Sequence, residues 1–403
     1  MKISLIQPSR NNLKYLKWSY DSIRKNQGNH IVEICVADDD SSDGTWEWCQ
    51  ERMAADKHFS AIRNESGKRL GHTILYDQLV NEVASHDICM IYHADMYLCP
   101  GALDAIEDEL KEKTIVSLTR IEPPLHPDGP EKILKDFGVE PEEFNEHGLL
   151  EFINSRVPAN DTTEGIFAPW AFWKRDFQKI GGHDPLYAPQ SKEDSDIFNR
   201  FHLNGIKFIQ TWHGCVYHMT CRGSRRNTHD GAPNIQTNNP EWEAQNIRST
   251  RNFIRKWGHF VKHDRYMKPI IPPKYNIEFR VFNCTLNALA QLEPWCSIIY
   301  TDLPESDRQR YIKQEQVNTR FKLSNRVYGL MGELASEADI LVRIDCNNFD
   351  WQRDFYYIQH MSEIITDSGE QGTFDLGNLR ITIEDMSTYE SDLIVCESNI
   401  YSK

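Results

Sequence analysis

His93 and Asp95 stand two residues apart, directly after the short apolar run ICMIY at 88–92. A carboxylate is a hard oxygen ligand and an imidazole a borderline nitrogen ligand. Alternate residues of an extended chain share a side, so this pair could hold a divalent cation. Other chemistry-bearing groups gather in the same way. Asp38, Asp39 and Asp40 follow the apolar run HIVEICVA at 30–37, and three adjacent carboxylates repel unless positive or hydrogen-bonding groups face them. Capping of a following helix explains one of the three, not all. Glu193, Asp194 and Asp196 crowd into QSKEDSDIFNR at 190–200, and His213 and His218 flank GCVY. Arg222, Arg225 and Arg226 follow around Gly223-Ser224. Backbone amides of a Gly-Ser loop plus guanidinium groups suit a diphosphate.

These groups need elements to position them, and the hydrophobic pattern supplies an alternating series. KISLIQ at 2–7 reads as a strand ending at Pro8-Ser9-Arg10, and 13–25 has helical spacing. A strand at 30–37 precedes a helix at 46–53, and a basic turn at 63–71 precedes a helix at 73–84. After the strand at 88–92, Pro100-Gly101 opens a helix at 102–111, and 114–120 is a further strand. The stretch 122–164 departs from this compact pattern and includes an expected helix at 132–137. It is either a lid or acceptor platform or a surface elaboration. IFAPWAFW at 166–173 offers core packing or, through Trp170, a face for a sugar ring. A helix starting near Glu193, a strand at 205–212 and a closing helix at 242–260 complete the first part. Alternating strands and helices imply a mostly parallel sheet with ligands at the carboxyl ends of its strands.

The Pro-rich stretch KPIIPPK at 268–274 marks a domain boundary, giving domains at 1–267 and 275–403. From Pro269 onward there are 12 Lys/Arg against 21 Asp/Glu, so most of the net charge of −15 lies there. Strands are expected at 277–282, 296–300, 340–344, 379–383 and 393–396, and helices at 287–292, 308–316, 328–336 and 355–365. This second α/β module carries no assignable motif. The net charge argues against broad nonspecific nucleic-acid binding. Residues 246–274 nonetheless hold eight Lys/Arg and one acid, a solvated face or a docking surface for an anionic acceptor. Ten scattered cysteines without CxxC spacing read as reduced thiols of a cytoplasmic protein. No stretch approaches membrane-spanning length.

Strand, then DDDSSDGT at 38–45, then helix resembles the start of glycosyltransferase family 2, a nucleotide-sugar-dependent group with the GT-A fold. The resemblance covers about the first 260 residues and rests on several signals in the correct order. It implies a Rossmann-like GT-A catalytic domain followed by a small α/β domain. In that family the early loop and first Asp pair hold the nucleoside, which maps onto Pro8, Ser9, Arg10, Asp38 and Asp39. Asp40 stands where Gly is usual. The segment RNESGKRLG at 63–71 is similar to the family's Asn-x-Gly segment, with Arg69 as the cation for the nucleotide. HAD at 93–95 falls at the Asp-x-Asp motif, so Asp95 would bind Mn²⁺ or Mg²⁺, and His93 replaces the first carboxylate and faces ribose or metal. GGHDP at 181–185 with EDSDIFNR resembles the acceptor and catalytic-base segment. By that match Asp194 is the base, with Glu193 and Asp196 positioning acceptor and loop. Asp196 equally suits capping or a salt bridge. His218, with His213 the alternative, would complete the metal site, and Arg222, Arg225 and Arg226 would meet the diphosphate.

The resulting expectation is inverting transfer of a sugar from a nucleoside-diphosphate sugar to an acceptor hydroxyl on a glycan or small compound, without membrane attachment. The pattern also resembles soluble family 2 members of large phage genomes. For those, the acceptor would be a hydroxymethylated base in DNA and the location the host cytoplasm. A non-catalytic sugar-nucleotide or glycan-binding protein is the other alternative. Replacement of the first motif carboxylate by His93 favours it, whereas Asp95, Asp194 and His218 oppose it.

Overall fold

The computed structural model describes residues 1–220, 239–330 and 338–396. The chain divides into two compact units, one of residues 1–245, 263–269 and the end from 395, the other of 246–262 and 270–394. In the first unit the chain runs through β1 (Lys2–Ser9), α1 (Leu13–Asn26), β2 (Ile31–Asp38), α2 (Thr45–Ala55), β3 (Phe59–Arg63) and α3 (His72–Gln78). It continues through β4 (Ile88–Ile91), β5 (Met96–Leu98), α4 (Ala102–Glu109), β6 (Thr114–Glu122), β7 (Lys132–Leu134) and α5 (Glu146–Ser155). There follow β8 (Thr162–Thr163), β9 (Trp170–Trp173), α6 (Lys174–Lys179), α7 (Glu193–Leu203) and β10 (Lys207–His218); helix α8 (Pro240–Trp257) begins in this unit and continues into the second.

The main sheet has the order β3-β2-β1-β4-β9-β6-β10-β5, with β7 paired to β6 and β8 to β10. Strands β1, β2, β3 and β4 are mutually parallel, as are β6 and β10, while β9 and β5 run antiparallel to their neighbours. β1 and β2 are buried from their second residue on, and β6 throughout. Burial on both faces explains why they read as continuous apolar runs rather than alternating ones. This is the mostly parallel α/β architecture expected.

Several local expectations change. β1 extends through Pro8 and Ser9, with Ser9 opposite Asp38, so both lie at a strand end rather than in a loop. The helix expected at 132–137 is instead strand β7, because Arg120, Ile121 and Glu122 pair with Lys132, Ile133 and Leu134. An available strand edge overrides local helical pattern. β10 does not stop at Trp212. A bulge between Thr211 and Cys215 shifts its register, after which it stays paired with β6 as far as Tyr217 and ends at His218.

The second unit contains β11 (Ile277–Phe282), α9 (Leu286–Leu292), β12 (Ile298–Thr301), α10 (Glu305–Glu315), β13 (Val327–Gly329), β14 (Ile340–Asp345), α11 (Arg353–Gln359), α12 (Met361–Ser368), β15 (Gly372–Leu376) and β16 (Leu379–Ile383). Residues 327–329, expected at the start of a helix, form a strand parallel to β12, and 390–393 make a short 3₁₀ turn where a strand was expected nearby. Its sheet order is β13-β12-β11-β14-β16-β15. The first four strands are parallel and the next is antiparallel. That repeats the β3-β2-β1-β4 order and antiparallel β9 of the first unit. Phe279, Val281, Leu289, Ile299, Val342 and Ile344 centre its core.

Trp170 has no exposed surface and packs against Phe172, Phe198 and Phe201 with ring centroids at 4.7, 5.5 and 5.9 Å. It fills the core beneath β9 rather than presenting a face to an acceptor. Trp170→Ala is expected to lower stability by about 3–5 kcal/mol in urea denaturation.

Candidate active site

The site is built where strands end. β4 stops at Ile91, and the chain turns through His93 and Asp95 into β5. β5 then pairs antiparallel with the last residues of β10, setting Met96 opposite His218. The Met219 amide donates to the Asp95 carbonyl at 3.1 Å, which fixes the two segments together. Consequently His93, Asp95 and His218 each offer a ligand atom, all within 4.8 Å of one another. His218 Nε2 lies 3.4 Å from Asp95 Oδ1, and the rings of His93 and His218 are 5.6 Å apart.

The electrostatics of this cluster favour a cation. Burial disfavours the charged form of His218, but Asp95 and Glu122 outweigh it and raise its pKa to about 9. Burial likewise opposes ionisation of Asp95, yet His218 holds its carboxyl below the usual range. His93 is driven the other way, to about 3, first by burial and then by His218. The pocket thus carries a fixed carboxylate, a neutral imidazole and an imidazole that holds an extra proton. A divalent ion meeting the same oxygen and nitrogen donors would supply that positive charge instead.

Glu122 was not singled out by its sequence position. It ends β6, is 1% exposed, and its Oε1 receives His218 Nδ1 at 2.8 Å. Sequence pattern gave no signal for it, because the contact spans 96 residues. His72 and Tyr76 likewise carry no signal in the sequence pattern, and His183 is marked only as part of GGHDP. His72 and Tyr76 lie on α3 with rings 5.6 Å apart, and Tyr76 stacks on His183 at 5.4 Å. Tyr76 lies in the field of Asp194, Glu193 and Asp95 at once, which raises its pKa on top of burial.

Asp39 is 2% exposed and accepts the amides of Leu70 and Gly71 at 3.0 and 2.9 Å, together with Asn64 Nδ2 at 2.7 Å. It shapes the 64–71 turn. Gly71 sits at φ +76° with Pro189 O only 2.1 Å from where a Cβ would be, so no other residue fits there. Asp38 is fully buried, and burial raises its pKa despite the Ser41 amide and nearby Arg63. Its Oδ1 accepts Ser41 N at 3.1 Å, and Arg63 Nε stands 3.5 Å from Oδ2. Arg10 donates to the Asp39 carbonyl at 2.8 Å, and Arg69 donates to Gln190 at 2.5 Å. The charges of Asp39, Arg10 and Glu193 all act on Arg69, which places it between the β1–β2 corner and the start of α7. Arg222, Arg225 and Arg226 lie outside the described residues. His213, the alternative metal residue, is exposed and paired with Asp161 at 2.8 Å, away from the cluster.

The acid pair Glu193 and Asp194 opens α7 just after Ser191 and Lys192, which hold φ of 80° and 74°. Two consecutive non-glycine residues in the left-handed region store strain of about 1–3 kcal/mol each. By itself a helix N-terminus favours ionised carboxylates. Instead burial raises both pKa values. For Glu193 the Asp194 charge adds to burial, whereas for Asp194 the neighbouring His183 works against it. The pair therefore splits, with Asp194 ionising first and Glu193 keeping its proton. Asp196, expected near the acceptor, is fully buried one turn on. It binds Arg200 Nε at 2.7 Å, and Arg200 ties the carbonyls of Ile180 and Gly182 at 2.9 and 2.6 Å. It braces the Gly181-Gly182 loop from within.

Residues 4–181 match the family model described as glycosyl transferase family 2. Over that stretch the chain is similar to the family 2 glycosyltransferases. The match covers the β1–β2 corner, the 64–71 turn and the His93–Asp95 segment, and ends at the loop that Arg200 ties. Two solved structures are similar at low identity. One is GalNAc-T7 with UDP, GalNAc and Mn²⁺, at 14% identity over 54% of this chain and 44% of that one, with a TM-score of 0.42. The other is the mannosyltransferase PcManGT from Pyrobaculum calidifontis with GDP-Man and Mn²⁺, at 15% identity over 54% and 56%, with a TM-score of 0.39. The aligned part spans about half the length of each of those proteins. No curated protein matches the chain. Among the described residues no helix is long and apolar enough to cross a membrane.

The acid pair gives the first unit a measurable pH signature. A carboxyl whose folded pKa exceeds its unfolded value binds more protons when folded, so stability falls as pH rises above the unfolded pKa. For Glu193 that decline begins near pH 4.5. Glu193→Gln is expected to be more stable than wild type at pH 8, with the gap closing below about pH 4. Thermal melts across that range read it.

Proposed function

We propose that this chain transfers a glycosyl group from a nucleoside-diphosphate sugar to an acceptor hydroxyl by inverting single displacement. His93, Asp95 and His218 hold a divalent cation, Mn²⁺ or Mg²⁺, and Asp194 is the general base. The observation that carries this reading is the pairing, in a chain similar to the family 2 glycosyltransferases, of a three-donor cluster and a separate acid pair. Charges from both reach Tyr76 on α3.

A bound divalent cation supplies positive charge that stabilises a departing diphosphate. The chain's own residues do the remaining work. Arg69, set between Asp39 and Glu193, directs a second positive charge towards the nucleotide. Arg10 closes the nucleoside corner over the Asp39 carbonyl, beside Pro8, Ser9 and Asp38 at the ends of β1 and β2. Asp194 accepts the proton of the attacking hydroxyl. Its raised pKa makes it a stronger base than an ordinary surface aspartate, and the protonated Glu193 beside it leaves the negative charge on Asp194.

Calorimetric titration with UDP, GDP, CDP and dTDP, each with Mn²⁺ or with EDTA, tests the reading. One nucleotide is expected to bind with Mn²⁺ and to lose binding with EDTA and in Asp95→Ala. Asp194→Asn is expected to keep that binding while the transfer rate falls roughly 10²–10⁴-fold. Absence of nucleotide binding under every condition overturns the proposal.

A further inference from the structure

We propose that Glu122 is a positioning residue for the cation site. By accepting the Nδ1 hydrogen of His218, it fixes the ring so that Nε2 faces Asp95. The same geometry assigns strand β7, inside the segment 122–164, the task of holding Glu122 in place. This inference rests on the reading that His93, Asp95 and His218 take a divalent cation.

An imidazole can present either nitrogen, and which one is free is set by the hydrogen bond the other makes. Here the two nitrogens of His218 face different carboxylates. Nδ1 lies 2.8 Å from Glu122 Oε1, and Nε2 lies 3.4 Å from Asp95 Oδ1. Asp95 belongs to the three-donor cluster, and Glu122 does not. A ligand imidazole whose far nitrogen donates to a carboxylate is held in one tautomer and one rotation, and loss of that carboxylate weakens metal binding.

The carboxylate must itself be immobile for this to work. Glu122 is almost fully buried between Arg120, at 3.1 Å from Oε1, and Lys132, at 3.3 Å from Oε2. Arg120 also approaches Glu131 at 3.8 Å. Two cations thus face the buried charge of Glu122 besides the imidazole. What the contact adds is direction. Lys132 and Glu131 come from the 122–164 segment, whose β7 pairs in register with the end of β6, and the Lys135 amide donates to the Glu122 carbonyl at 2.9 Å. That part of the segment is built into the sheet beside Glu122, which is not how a detached surface elaboration would sit.

The test measures Mn²⁺ alone, without nucleotide, by electron paramagnetic resonance of the free ion. Wild type, Glu122→Gln, Glu122→Asp and Lys132→Met are compared, each with its thermal melt, and the visible spectrum of the Co²⁺-loaded protein is recorded for each. Glu122→Gln is expected to bind Mn²⁺ roughly 10–100-fold more weakly with an altered Co²⁺ spectrum, while Glu122→Asp recovers part of the affinity. Lys132→Met is expected to weaken binding by a smaller factor. Wild-type affinity and spectrum in a folded Glu122→Gln overturn the proposal while leaving the cation reading intact. Should Glu122→Gln fail to fold, unchanged affinity in both Glu122→Asp and Lys132→Met overturns it, and weakened affinity in a folded Glu122→Asp supports it. If wild type takes up no Mn²⁺, the cation reading itself falls, and this inference with it.

Discussion

The pairing of three-residue strand β5 with the last residues of β10 is the contact on which the candidate site depends. It sets Asp95 beside His218, two residues separated by more than a hundred positions in the chain. Without the shift in register at the β10 bulge, Gly214 rather than Tyr217 would face Ile121, and His218 would lie beyond the end of β6. A local irregularity in one strand thereby decides where the His218 side chain stands, a common use of bulges next to functional sites.

Charge organises the rest around that contact. Two carboxylates, Asp95 and Glu122, face the two nitrogens of His218, while His93 stays neutral beside them. A second electrostatic centre lies at the start of α7. There burial defeats the helix dipole, and the Glu193–Asp194 pair divides into one carboxyl that keeps its proton and one that ionises first. Desolvation of a nearly enclosed carboxyl can shift its pKa by several units. A helix N-terminus stabilises a charge by about 0.3–1 kcal/mol in exposed settings. The larger effect wins. Arg200 and Asp196, completely buried, spend their charges on each other and on the carbonyls of the Gly181-Gly182 loop, which keeps the start of α7 aligned.

The two units share a strand order, four parallel strands followed by an antiparallel one, although the second carries none of the motifs of the first. Asp302 and Asp345 lie at the ends of β12 and β14, where the first unit has Asp38 and the His93–Asp95 segment. They are engaged by local amides and asparagines: Asp302 accepts the amides of Asn283 and Cys284, and Asp345 receives Asn283 and Asn348. The likeness is one of topology, with the loops turned to holding themselves.

Much of the first unit was legible in sequence. Its buried parallel strands appear as unbroken apolar runs, and a strand whose faces are both covered needs no alternation. The chemistry-bearing residues His93, Asp95, Glu193, Asp194 and His218 were legible for a related reason, since each follows directly on such a run or opens a helix. Tertiary structure decided what these residues meet. Burial moved Trp170 and Asp196 from an acceptor surface into the core, and Asp39 from a free ligand into a clamp on the 64–71 turn. Strand pairing turned 132–134 from helix to strand. Glu122, Tyr76 and His183 acquire their roles only through contacts between distant segments, and no local pattern encodes them. Sequence determined which groups stand at strand ends. Sheet order, one bulge and the depth of burial decided which of them face one another and which proton each one holds.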